Sequence, residues 1–160
     1  MKKNNIFKLF IGLLIPLAVG SLSALMSGDS MAMFDSVKKP ALSPPGILFP
    51  IVWTILYVLM GISSYLIYME KENGSLKSEA NSLLTIYVIQ LIFNFFWSII
   101  FFKFSMYKFA FAWLLVLWML VFIYIIKSYK VNKVASYLMI PYILWMTFAA
   151  YLNIMIAIMN

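Results

Sequence analysis

Gln90, Asn94, Trp97 and Ser98 recur at i, i+4, i+7 and i+8 inside a long apolar run. On a helix this spacing gathers two amides, an indole and a hydroxyl on one face. An amide turned toward lipid costs several kcal/mol, so the face is expected to turn inward. Two chemistries fit it: hydrogen bonding between helices, or orientation of a ligand in an apolar pocket. Trp53 and Tyr57 stand at i, i+4, and Tyr142, Trp145, Ala149 and Leu152 at i, i+3, i+7, i+10. Each set forms one stripe. Large rings fill irregular interior space, which is reason enough for such stripes. Two of them beside the Gln90 and Asn94 face would also line a cavity suited to a flat, largely apolar ligand.

Other chemistry is excluded by what is missing. With neither Cys nor His, the chain has no thiolate nucleophile, no zinc site of the usual kind, no common axial haem ligand and no His-based triad. No acid–base or nucleophile constellation replaces them. The charges are twelve Lys and five acids, net +7. They sit at the ends of apolar runs, which fits membrane topology and anionic lipid headgroups rather than nucleic acid. Within the runs the one ionisable acid or base is Lys8, near the start of the first. Proton- and ion-coupled pumps place charged groups within the bilayer. A coupled transporter is therefore disfavoured, as is a cation channel built on a ring of acids.

The elements that must position these residues follow from hydropathy. The chain has 160 residues, 65% hydrophobic and 11% charged, against roughly 45–50% and 25% in soluble domains. Five continuous apolar runs span residues 6–26, 47–69, 83–102, 109–126 and 134–159. Each is close to the roughly 20 residues a helix needs to cross the hydrocarbon, and none alternates as a barrel strand would. The expected fold is an all-α integral membrane protein: a five-transmembrane-helix bundle forming one domain over 1–160. Short links make neighbouring helices antiparallel. The exception is the connection 27–46, stiffened by Pro40, Pro44 and Pro45, which reads as a shaped lid.

Orientation follows from the lysines. Lys2, Lys3, Lys8, Lys71, Lys77, Lys127, Lys130 and Lys133 share one side, and Lys38, Lys39, Lys103 and Lys108 the other. The excess places the N-terminus in the cytoplasm and the lid outside. Met1 to Lys8 with Ser21 to Ala24 also resembles a cleavable signal, but the run is long enough to span.

The stretch Lys39-Pro-Ala-Leu-Ser-Pro-Pro-Gly-Ile-Leu-Phe-Pro-Ile-Val-Trp-Thr-Ile-Leu-Tyr57 resembles the signature of the translocator protein family, the tryptophan-rich sensory proteins once called peripheral benzodiazepine receptors. Phe93-Asn94 and Leu117-Trp118 are similar to family positions, and Pro141 to Asn153 resembles the fifth-helix signature. The resemblance runs in order over nearly the whole chain.

It implies a five-helix fold whose first loop closes one end of a ligand pocket. The ligands implied are porphyrins and other tetrapyrroles, such as protoporphyrin IX, and synthetic isoquinoline-carboxamide or benzodiazepine drugs. The porphyrin would be ligand or substrate, and no cofactor is required. Some bacterial members break down protoporphyrin in light, with two pocket tryptophans implicated. By motif those correspond to Trp53 and Trp145, in a photochemical role. The other implied ligand-binding positions are Phe34, Pro44, Phe49, Tyr57, Asn94, Trp97, Ala149 and Leu152. The implied location is a bacterial plasma membrane, and a homodimer remains open.

The chain departs from the family pattern in several places. Met33-Phe34 replaces the usual Trp-Tyr, Leu42 stands where Trp is common, and no acid lies near Leu115. The third run has no Gly, so close small-residue helix packing between copies is not expected from it. No basic residue follows Tyr151, so the cholesterol motif of animal members is not matched. The function expected is a membrane-embedded porphyrin-binding sensor or carrier. Light-dependent degradation, a regulatory partner for another membrane protein and an uncoupled small-molecule transporter stand as alternatives.

Overall fold

A peptide backbone in lipid has no partner but itself, so each long apolar run closes its own hydrogen bonds as a helix. The computed structural model describes residues 2–74 and 76–160, and the side chains of Lys2, Lys3 and Asn73 lie outside that description. Two lysine side chains of the charge count above, Lys2 and Lys3, therefore lie outside the description. The helices are α1 (Lys2–Met26), α2 (Ser30–Ser36), α3 (Leu48–Asn73), α4 (Lys77–Ser98), α5 (Tyr107–Val131), α6 (Lys133–Leu138) and α7 (Ile140–Met159). A π-helical segment, Ile99–Lys103, continues α4. No strand occurs among the described residues. Five stretches are long and apolar enough to span a bilayer, α6 and α7 together forming the fifth. The protein is a five-helix membrane bundle.

The helices run further than the apolar runs. α5 extends to Val131 and α3 to Asn73, because a charged residue that reaches the headgroups does not end a helix. What does end α3 is Gly74 at φ +89°, whose N–H caps the carbonyl of Glu70. The fifth run is broken at Met139. Pro141 lacks an N–H, and its ring clashes with the carbonyl four residues earlier, which interrupts the ladder there.

The connection 27–46, read above as loop, contains the short helix α2. Asp29 starts it by accepting from the Ala32 N–H at 3.0 Å, as N-cap residues do. Val37 ends it in extended backbone, three residues before Pro40.

Packing holds α1 against α3 and α4, α4 against α3 and α5, and α5 against α7, with α6 seated between α3 and α5. Polar side chains tie these contacts. Ser63 donates to the Ala135 carbonyl at 2.7 Å and lies 3.1 Å from the Tyr124 hydroxyl. Trp113 donates to the Phe93 carbonyl at 2.8 Å, and Trp118 to Thr147 Oγ1 at 2.9 Å. Beyond the crowded core, Lys8 Nζ sits 2.6 and 2.5 Å from the two carboxylate oxygens of Glu72, joining α1 to the end of α3.

The α1–α3 contact is closest at two glycines. A Cβ on Gly61 would lie 2.7 Å from the Gly12 carbonyl oxygen and 2.9 Å from Leu13 Cα. Both are backbone atoms and cannot swing aside. Alanine is the better helix former by about 1 kcal/mol, yet overpacking costs about 1–3 kcal/mol. Gly61→Ala is therefore expected to destabilise the bundle by up to about 2 kcal/mol net, read as a lower unfolding midpoint in detergent. A midpoint at or above wild type would refute the close contact.

Candidate ligand-binding site

α3 and α7 approach each other little along their backbones, and rings bridge the gap between them. Trp53 on α3 stacks with Tyr57 at 5.6 Å between centroids and meets Tyr142 of α7 edge-on at 6.0 Å. Trp97 of α4 lies 6.4 Å from Trp53. Trp145 of α7 meets Phe49 of α3 at 5.9 Å, and Phe49 meets Phe34 of the lid at 4.9 Å. Edge and offset contacts of this kind are worth roughly 0.5–1.5 kcal/mol each beyond area burial.

Between these rings lies a cavity of about 350 Å³, within the range of small-molecule sites. Of the ten positions singled out from the sequence, Phe34, Phe49, Trp53, Tyr57, Trp97, Trp145 and Ala149 line it. The structure thus brings both tryptophans of interest to one cavity. Pro44, Asn94 and Leu152 are not in its wall. Pro44 is half-buried in the turn before α3, and Leu152 is buried away from the cavity.

Asn94 stands one layer behind. Its Oδ1 accepts from the Tyr57 hydroxyl at 2.7 Å, and its Nδ2 donates to the Tyr142 hydroxyl at 2.8 Å. Tyr142 in turn donates to Gln90 Oε1 at 3.2 Å. All four residues are buried. The amide face found in the sequence therefore joins α3, α4 and α7, and Asn94 acts on the cavity by holding Tyr57. Trp97 is held likewise: its indole donates to Asn153 Oδ1 at 3.3 Å, while Asn153 donates to the Tyr107 carbonyl at 2.7 Å.

The chain has recognisable relatives. The sequence profile of the TspO/MBR family matches residues 12–159. The tryptophan-rich protein TspO of Archaeoglobus fulgidus is 34% identical over 157 residues, covering 98% of this chain and 99% of that one. Protein CrtK of Rhodobacter capsulatus is 33% identical over 125 residues, 76% of this chain and 74% of that one. The human translocator protein is 31% identical over 131 residues, 82% of this chain and 76% of that one. The chain belongs to the TspO/MBR family.

In this TspO/MBR chain one wall escaped the sequence reading. α1 contributes Leu17, Gly20, Ser21 and Ala24 to the cavity, and Ser27 follows just beyond its end. The signal was there: small residues at Gly20, Ala24 and Ser27 keep helical spacing on one face. Gly20 is required. A Cβ there would lie 2.1 Å from the Tyr57 ring, so Tyr57 lies directly over the α1 backbone. Ser21 and Ala24 on α1, with Pro50 and Thr54 on α3, line the cavity yet are exposed. The cavity therefore opens sideways between these two helices.

The π segment shapes the opposite wall. The Ile99 N–H donates to the Phe96 carbonyl, and the Phe95 carbonyl accepts from Ser23 Oγ of α1 at 2.8 Å. The wider turn that follows sets Phe102 into the cavity wall beside Ser98. Single-turn π segments often mark functional sites for this reason: they re-aim side chains. Among the described residues, none that carries a charge lines the cavity. The Trp145 Nε1 is buried and has no hydrogen-bond partner among the described residues.

Removing the Asn94 amide leaves the buried Tyr57 hydroxyl without its partner, while Tyr142 keeps Gln90. Asn94→Ala is expected to lower unfolding stability by about 1–3 kcal/mol, the cost of one orphaned buried group. Gly20→Ala should displace the Tyr57 ring and alter ligand affinity while costing less stability. Equal stability of Asn94→Ala and wild type in detergent unfolding would refute the network.

Proposed function

We propose that this protein is a membrane-embedded binding protein for a flat, largely apolar tetrapyrrole such as protoporphyrin IX, acting as sensor or carrier. One observation carries the reading: Trp53, Trp97, Trp145, Tyr57 and Phe49 line a single uncharged cavity under a lid that inserts Phe34. Stacking on ring faces suits a planar conjugated ligand, and apolar walls suit one that partitions into lipid. The sideways opening between α1 and α3 leaves room for the edge of a ligand larger than the enclosed volume. An acceptor group placed beside Trp145 Nε1 would remove the penalty of an unpaired buried N–H. Without His or Cys in the chain, the metal-free macrocycle is favoured, by shape and stacking. The names of the relatives, tryptophan-rich and translocator proteins, agree with an aromatic, ligand-handling site. Isoquinoline-carboxamide and benzodiazepine compounds would compete for the same walls.

A second reading, light-dependent porphyrin breakdown, is favoured by the presence of both Trp53 and Trp145 at one cavity. The excited porphyrin and oxygen would supply the chemistry, and the two indoles would serve as electron or radical partners. The proposed setting is a bacterial plasma membrane with a cytoplasmic N-terminus, by the lysine distribution.

Two measurements test these readings. Titration of protoporphyrin IX into protein in nanodiscs is expected to give saturable binding in the dark. Under light, wild type should bleach the porphyrin, while Trp53→Phe and Trp145→Phe keep binding within about threefold and lose turnover. Absent saturable binding removes the tetrapyrrole reading, and equal photoproduct yield in both variants removes the photochemical one. Since the chain has no Cys, single cysteines at Ser36 and at Lys130 report topology cleanly. An impermeant maleimide added to intact cells should label the first and not the second; the reverse pattern would invert the orientation.

A further inference from the structure

The lid is held by the burial of Phe34 and of Pro40 and, between them, by a side chain just beyond α7. Phe34 is 4% exposed and packs on Phe49. Lys39 pairs with Asp35 at 3.1 Å and covers the Phe34 ring at 4.7 Å, which stiffens the lid internally but ties it to nothing else. Just beyond α2, the backbone of Lys38 meets the side chain of Asn160, 122 positions away in the chain. The Lys38 N–H donates to Asn160 Oδ1 at 3.0 Å, and Asn160 Nδ2 donates back to the Lys38 carbonyl at 3.0 Å. The same Nδ2 donates to the Ile156 carbonyl at 2.9 Å, and the Asn160 N–H reaches that carbonyl at 3.1 Å. These two bonds fix the amide to the end of α7, so its fork is presented to the lid in a set orientation.

We propose that Asn160 is a positioning residue for the site: a latch that pairs its side-chain amide with the Lys38 peptide group and holds the lid closed over the cavity. The pairing imitates one rung of a β-ladder, with donor and acceptor matched on both sides. It reads backbone, so it does not depend on which side chain follows α2. Both partners are exposed, so water competes for them and the latch is reversible. Two such bonds of ordinary net strength bias the lid toward closure by roughly tenfold. α7 also carries Trp145 and Ala149 in the cavity wall, so the helix that lines the site also fastens its cover. The consequence for ligand exchange rests on the tetrapyrrole reading above; the latch itself does not.

The experiment is hydrogen exchange by mass spectrometry on full-length protein in nanodiscs, paired with stopped-flow exchange of protoporphyrin IX. Asn160→Ala is expected to speed exchange in the peptide covering Val37–Lys39 by roughly tenfold, while α3 and α5 are unchanged. Asn160→Asp keeps an acceptor for the Lys38 N–H and loses the donor, so it should fall between. Association and dissociation of protoporphyrin IX should both quicken in Asn160→Ala, with Kd within about twofold, because the latch acts on opening and not on the cavity wall. Unchanged exchange at Val37–Lys39 would overturn the latch. Faster lid exchange with unaltered porphyrin rates would overturn its gating role. If wild type binds no porphyrin, the proposed ligand fails, and hydrogen exchange alone still decides the latch.

Discussion

Everything near the cavity depends on one amide in a medium without water. Asn94 is within hydrogen-bonding distance of two tyrosine hydroxyls from two other helices. In lipid no water replaces these bonds, and besides Asn94 only Gln90 meets the Tyr142 hydroxyl, so the spacing of α3, α4 and α7 is set by the reach of these side chains. An apolar contact in the same place would be free to collapse. The amide keeps the helices apart at a defined distance, and the rings on α3 and α7 meet across that distance. The cavity is what remains between a polar tie on one level and an aromatic bridge on the next.

The other walls follow the same logic of forced approach and forced separation. Gly12 and Gly61 let α1 and α3 touch through backbone. Farther along, Gly20 accepts the Tyr57 ring and the two helices part. α4 loosens into its π segment at the level of the lid, and the Phe95 carbonyl is met by Ser23. Membership of the TspO/MBR family is consistent with an architecture whose residues serve a chamber as much as a core.

Much of this was legible in the residues. Uninterrupted apolar runs specify spanning helices because the bilayer allows few other solutions, so the five-helix fold followed directly. The aromatic stripes were also legible, since 3.6-residue periodicity survives in a membrane as in water. What the sequence hid has physical causes. α2 was missed because proline-rich composition masks a helix that one Asp29 cap is enough to start. The kink at Met139 was missed because a continuous apolar run shows no boundary, although Pro141 marked it. The α1 wall was missed because small residues carry no chemistry of their own and contribute by what they allow to come near. Asn94 looked the same as a ligand contact or as a tie between helices; only the distances to Tyr57 and Tyr142 separate those roles.

The lack of charge at the cavity has an electrical meaning. Moving one elementary charge across a membrane potential of 100 mV takes about 2.3 kcal/mol, and proteins that respond to voltage carry such charges in the field. Among the described residues no acid or base lines the chamber, and Lys8, within the first span, is matched by Glu72. The side chains that wall the site therefore give the field nothing to act on. A membrane potential can reach its occupancy only through charge on the guest or through the lid residues Asp35, Lys38 and Lys39.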